Sequence, residues 1–217
     1  MTHAGLPPDP HDERGLERVV FFSDAVFAIA ITLLVIDLRL PDLPSSATNA
    51  DVAAALAALA PRLVAYVLSF AVIGLYWMAH WRRFHYIARV DERFLALNLV
   101  LLGFIAFIPF PTSLQGEHGN VPIVVAIYAL TLAVSGFLGA ASWVYAVRAG
   151  LTRRDMTPTD VRLGLYRGLS GPAVFLGSLV LLPIGPYAVE AAWLLIFPVQ
   201  AVLVRLARRP EEPAASP

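Results

Sequence analysis

Apolar residues run along this chain in long blocks, separated by short polar stretches rich in arginine, proline and glycine. Six blocks approach the ~20 residues that a helix needs to cross a bilayer. They run from about Leu16 to Leu40, Leu63 to Phe84, Phe94 to Phe110, Val121 to Val147, Val161 to Leu182 and Tyr187 to Ala207. The pattern predicts an all-α membrane protein with six transmembrane helices. Pro109 and Pro111 are expected to close the third helix. Gly164, Gly168, Gly171, Pro172 and Gly177 interrupt the fifth, which a membrane helix tolerates where its neighbours re-satisfy the backbone. Between the first two blocks, Leu40 to Ser46 breaks the helix. Asn49 to Leu59 then reads as a short alanine-rich helix lying at the outer interface.

Arginine placement orients the blocks. Arg14, Arg18, Arg82, Arg83, Arg89, Arg93, Arg148, Arg153, Arg154, Arg162, Arg167, Arg205, Arg208 and Arg209 fall on one side. Only Arg39 and Arg62 fall on the other, and the connections Thr112 to Asn120 and Pro183 to Pro186 carry none. Six spans with both termini in the cytoplasm satisfy the positive-inside rule at every loop. The organisation expected is a polar tail over 1–15, one six-helix domain over 16–207 and a disordered tail over 208–217. The first fifteen residues have no apolar core with a cleavage site, so the first helix is expected to be a retained span.

Composition agrees with a membrane protein. Hydrophobic residues make up 58% of the 217, and mean hydropathy is +0.69. The net charge of zero gives no support to nucleic-acid binding. There is no lysine, the lysine-plus-arginine total being all arginine as in a GC-rich bacterial genome, and there is no cysteine for a disulfide, a thiolate metal site or a nucleophile. No His-Glu-x-x-His, Gly-x-Ser-x-Gly or paired-aspartate motif supports a membrane-embedded enzyme. No cofactor is expected.

The first block holds the most informative chemistry. Arg18 and Asp24 sit near the start of a membrane-length apolar helix and Thr32 in its middle. Polar groups at that depth are costly and usually face protein or water. At ~100° per residue, Phe22, Val26, Ile29, Leu33, Ile36 and Leu40 share one stripe, with Ser23 and Asp24 well off it. Asp24 lies six residues from Arg18, so the two point to different sides and Asp24 needs a partner from another helix. His80 is the best candidate, at a similar depth in the second helix; the alternative is an interfacial histidine in an aromatic belt with Trp77 and Trp81. Asn98 reads as an interhelical hydrogen-bonding residue. Glu190 reads as solvated near the outer interface, and Tyr166, Tyr187 and Trp193 as belt or packing residues. The arginines of the basic side are topology determinants that also attract anionic lipid.

Arg18-x-x-x-Phe22-Ser23-Asp24 opening an apolar first helix resembles the transmembrane protein 175 family. The likeness extends to Trp77-x-x-His80 with its basic and aromatic continuation, and to Asn98 with Pro109-Phe110-Pro111. It is strong over about 18–38, partial over the second and third helices, and little more than hydropathy beyond. The resemblance implies a potassium channel, here in the inner (plasma) membrane of a prokaryote. It implies a homotetramer whose first helices line the pore, with Ile29, Leu33 and Ile36 as constricting layers and Arg18, Phe22, Ser23, Asp24, Trp77, His80 and Asn98 as a structural network. Its partners would be its own copies, membrane lipid and permeating potassium, which would also be its only metal. No carbonyl-filter loop is present, so any filter must be apolar and its preference for potassium over sodium moderate. Thr32 would support the Ile29 layer or bond back to the Ala28 carbonyl. The rival reading is a proton-coupled secondary transporter using an Asp24/His80 relay, and a purely structural membrane protein is a further one.

Overall fold

The computed structural model describes residues 10–207, and the expected disordered tail at 208–217 lies outside them. Helix α1 spans Pro10–Leu33 and tightens into a narrower turn over Leu34–Asp37. It starts within the segment expected to be a polar tail. Helix α2 spans Asn49–Ala58, with a reciprocal cap in which Thr48 and Asp51 satisfy each other's backbone N–H groups. The chain then turns at Leu59 into α3, Ala60–Tyr86, where Pro61 occupies the first turn and needs no donor.

Helices α4, Glu92–Phe107, and α5, Pro109–His118, correct one expectation. The two prolines do not close the third block. Ile108 stays helical, and its N–H bonds the Ile105 carbonyl at 3.2 Å, the group that Pro109 cannot serve. The prolines occupy the first turn of α5, and the helical run continues to His118.

Helix α6 spans Pro122–Arg148, and α7 spans Pro158–Ser178. The glycines of α7 do not break it. Gly164 lets it lie close on α6: a Cβ there would fall 2.4 Å from the Trp143 ring. Pro172 fits against Gly136 in the same way, since a Cβ there would fall 2.2 Å from its ring. The last apolar block contains α8, Pro186–Ala192, and α9, Ile196–Ala207, joined through a tight turn.

Five helical runs among the described residues are long and apolar enough to span a membrane: 14–37, 60–86, 92–118, 122–148 and 186–207. Helix α7 falls outside this group because Asp160, Arg162 and Arg167 lie in its first half. Helix α6 is the most buried of the five and forms the centre of the bundle, with α4 and α7 against it. The main core gathers Phe27, Ala30 and Leu34 of α1 and its following turn, Ile73 of α3, Ile105 of α4, Leu132 of α6 and Phe175 of α7. At one end, the connections after α3 and α6 bond each other, Ala88 N–H to the Leu151 carbonyl and Arg153 N–H to the Tyr86 carbonyl. At the other end, Arg62 and Glu117 form an ion pair at 3.1 Å.

Candidate functional site: an uncovered apolar stripe and the polar chain behind it

Helix α1 presents one narrow stripe to its neighbours and leaves most of the rest of its circumference uncovered, Phe21 and Val35 included. Ser23, Phe27, Ala30 and Leu34 are buried against α3 and α4. Phe22, Ile29, Leu33 and Ile36 remain exposed, Ile29 at 58%. Val26 is half-buried and packs on the core, as does Ile31. Thr32 is exposed and donates its hydroxyl to the Ile29 carbonyl at 2.9 Å. It bonds back as one alternative proposed, but to the third residue before it and not to Ala28. A chain of this kind leaves Ile29, Leu33 and Ile36 free to meet lipid or further copies of α1.

The motif residues converge on the packed side, though not in the pairs expected. Asp24 does not meet His80. Its carboxylate accepts the indole N–H of Trp77 at 2.9 Å, at a half-exposed position. His80 sits one helical turn further along α3 and is 2% exposed. Its Nε2 lies 2.9 Å from Asn98 Oδ1, and Asn98 Nδ2 lies 3.1 Å from Ser23 Oγ. Ser23 in turn donates to the Val19 carbonyl at 2.7 Å. Because an amide oxygen only accepts, the chain has one direction: His80 donates to Asn98, Asn98 to Ser23, and Ser23 to Val19. Each buried group is satisfied, which ties α1, α3 and α4 together through one asparagine. Phe84 stacks on the His80 ring at 4.3 Å and Phe27 lies tilted at 5.4 Å. The separation of Asp24 from His80 removes the geometric basis of the proton-relay reading. Arg18 is exposed and forms no ion pair among the described residues.

A second polar group, which sequence reasoning missed, lies toward the opposite end. Ser69 Oγ lies 2.7 Å from Tyr128 Oη, and Thr112 Oγ1 bonds Ser69 at 2.8 Å. Nearby, Gln115 donates to Glu190. Glu190 is therefore half-buried against α5 and not simply solvated. The signal was present as Thr112 and Gln115, three residues apart on one helical face, but they fell in a segment read as a loop. Trp193 is packed, stacked on Tyr128 at 5.3 Å, whereas Tyr187 is exposed.

Outside the spans, Asp91 caps α4. The Tyr145 hydroxyl at 2.6 Å and then the Phe94 N–H at 2.7 Å hold its carboxyl below the usual carboxylate range. Asp160 is lowered likewise by Thr157 at the start of α7. No group of three or more His, Asp or Glu side chains among the described residues converges to hold a metal ion.

Comparison with known proteins agrees with the motif. The family described as endosomal/lysosomal potassium channel TMEM175 matches residues 18–109. A potassium channel of Chamaesiphon minutus is 33% identical over 170 residues, covering 76% of this chain and 82% of that protein. A potassium channel of Streptomyces collinus is 39% identical over 139 residues, covering 61% of this chain and 65% of that protein, slightly less than two thirds. The human endosomal/lysosomal proton channel TMEM175 is 36% identical over 106 residues, which cover 46% of this chain but only 21% of the human protein. The fold matches a crystal structure of a lysosomal potassium-selective channel TMEM175 homolog from Chamaesiphon minutus with a TM-score of 0.73 and 27% identity, covering 90% of this chain and all of that one. The family match, the relatives and the fold together make this chain a member of the TMEM175 potassium channel family.

Proposed function

We propose that this chain is a potassium-selective cation channel in which four copies surround one pore lined by α1. The observation that carries the reading is the uncovered stripe Phe22, Ile29, Leu33 and Ile36 on a helix whose adjacent stripe is locked to α3 and α4. The names of the prokaryotic relatives support the choice of ion. Six spans complete the topology, α7 crossing alongside α6 and both termini facing the cytoplasm. The location is the plasma (inner) membrane of a prokaryote.

In this arrangement Ile29 forms the narrowest ring, with Leu33 and Ile36 as further rings and Thr32, bonded back to the Ile29 carbonyl, between them. An apolar ring passes an ion that sheds part of its water and closes by dewetting when it narrows. Potassium is larger than sodium and sheds water more easily, so the ring favours it. No fixed dipoles replace the lost water, so the preference is moderate. Arg18, Phe22, Ser23, Asp24, Trp77, His80 and Asn98 position α1 and do not touch the ion.

The experiment is flux from liposomes holding purified protein, driven by a potassium and then a sodium gradient, with a proton-sensitive dye as a third arm. Ile29→Asn wets the ring and should raise sodium flux relative to potassium. Ile29→Ala widens it and should raise conductance while lowering selectivity. Leu194→Asn, exposed on the last apolar block, should leave the ratio alone. Equal potassium-to-sodium ratios in wild type and both conducting Ile29 variants overturn the pore assignment, and native mass spectrometry without a four-copy species overturns the tetramer.

A further inference from the structure

A cavity of about 290 Å³ opens between α3, α6, α7 and α9, at the arginine-rich end of the bundle. Its wall has two unlike halves. Val72, Phe175 and Ile196 make one half apolar, and Arg82, Arg83 and Arg167 make the other strongly cationic. None of these three guanidinium groups has an ion pair among the described residues. Arg83 uses its Nε–H on the Ala79 carbonyl of its own helix. Its guanidinium lies over Gly139, where an added Cβ would fall 2.2 Å from Nη1, so α6 approaches it closely. The cavity's carboxylate, Asp160, is engaged by the Thr157 hydroxyl at 2.6 Å and the Thr157 N–H at 3.0 Å. His85 also lines the wall and adds no negative charge.

Three guanidinium groups against the one carboxylate of Asp160 leave a net positive charge in a partly desolvated site, which calls for an anion. A small soluble anion would answer the charge and leave the apolar half unfilled. A phospholipid answers both, because its phosphate and its acyl chains are joined at the right place. The lining residues Leu75 and Trp81 are also exposed, which gives the cavity an apolar edge facing outward. Basic pockets between membrane helices on the cytoplasmic side are suited to such headgroups, and planar guanidinium groups match phosphate oxygens two at a time.

We propose that this cavity binds the phosphate headgroup of an anionic phospholipid, held by Arg82, Arg83 and Arg167, with the start of its acyl chains over Val72, Phe175 and Ile196. The remaining chain length leaves past the exposed apolar edge at Leu75 and Trp81 into the bilayer. Binding is an equilibrium property of the folded chain, so it stands or falls independently of ion conduction.

The test is native mass spectrometry of the full-length protein in detergent, titrated with phosphatidylglycerol or phosphatidylcholine, and with phosphatidylglycerol in the presence of excess inorganic phosphate. Phosphatidylglycerol should bind roughly tenfold or more tightly than phosphatidylcholine, and inorganic phosphate should not displace it. The double variant Arg82→Gln/Arg167→Gln should lose that preference. Gly171→Leu fills the cavity with no change of charge; its added Cβ meets only the edge of Phe175, at 3.9 Å, so the helix accepts it. It should also weaken phosphatidylglycerol binding about tenfold. Arg153→Gln/Arg154→Gln, at the same end but outside the cavity, should bind as wild type does. Displacement by inorganic phosphate would assign the site to a soluble anion and overturn the lipid reading. Equal binding of the two lipids, undiminished binding by Gly171→Leu, or an equal loss in the Arg153/Arg154 variant would overturn the site itself.

Discussion

Asn98 is the residue on which the packing of α1 turns, and its removal can be sized from the structure. Asn98→Ala withdraws the acceptor of the His80 Nε2–H, a donor on a side chain 2% exposed, and the donor that Ser23 accepts. An unsatisfied buried donor costs about 1–3 kcal/mol in a protein interior. In membranes, however, interhelical hydrogen bonds average only about 0.6 kcal/mol and reach about 1.7, because the less-folded chain also finds partners. The two figures differ enough that a single variant would not identify the cause. A double-mutant cycle with His80→Phe does so, since phenylalanine keeps the ring packing against Phe27 and Phe84 and deletes the donor. Each single change should destabilise the detergent-solubilised protein by about 1–2 kcal/mol. The pair should fall short of additivity by about 0.6–1.7 kcal/mol, read from chemical or thermal unfolding. Asp24→Asn, which preserves an acceptor for the half-exposed Trp77 indole, should shift stability by under about 0.5 kcal/mol. Additivity of His80→Phe and Asn98→Ala within about 0.3 kcal/mol would refute the directional chain from His80 to Ser23.

Other consequences follow from the packing and the loops. Gly164→Ala should cost about 1–3 kcal/mol by overpacking the buried Trp143, while Gly177→Ala, with open space around it, should be neutral or stabilising, both read as shifts in midpoint of unfolding. Asp91 has its carboxyl lowered by Tyr145, so its contribution is present above the ordinary aspartate value of about 3.9 and is lost as pH falls through the lower folded value. Melting temperature followed from about pH 6 to about pH 3 should therefore drop less steeply in Tyr145→Phe than in wild type; equal slopes would remove Asp91 from the acid response. Single cysteines at Ser46 and Asn120 should be labelled from outside and one at Arg154 from inside, all three sites being exposed. Asn120 is preferred to Gly119, where a Cβ would lie 2.6 Å from the Gln115 carbonyl. Outside labelling at Arg154 would change the span count.

The sequence by itself determined what depends on local rules. Helical hydrogen bonds close within a few residues, and a bilayer demands a run of about 20 apolar ones. Hydropathy therefore marked the positions of the helices, and arginine placement marked the two ends that the Ala88–Leu151 and Arg62–Glu117 contacts later joined. The motif residues Ser23, Asp24, Trp77, His80 and Asn98 were legible as polar groups that needed partners. Which partner each one took was not, because that depends on the rotation and offset of three helices against one another. A shift of one turn along α3 separates Trp77 from His80 and gave Asp24 to the tryptophan. The same holds for the stripes of α1, which differ by one residue and are both largely apolar in sequence; only the neighbours decide that Phe27, Ala30 and Leu34 are core and Ile29 is not. Proline was misread at Pro109 and Pro111 because a missing donor ends a helix only when nothing re-satisfies the carbonyl, and here the Ile108 N–H bonds to Ile105. The glycines of α7 were legible as tolerated interruptions of a helix, but their role in packing was not. The local effect of glycine is to weaken a helix, but the effect of Gly164 in the bundle is to admit Trp143, and that contact exists only once α6 is in place.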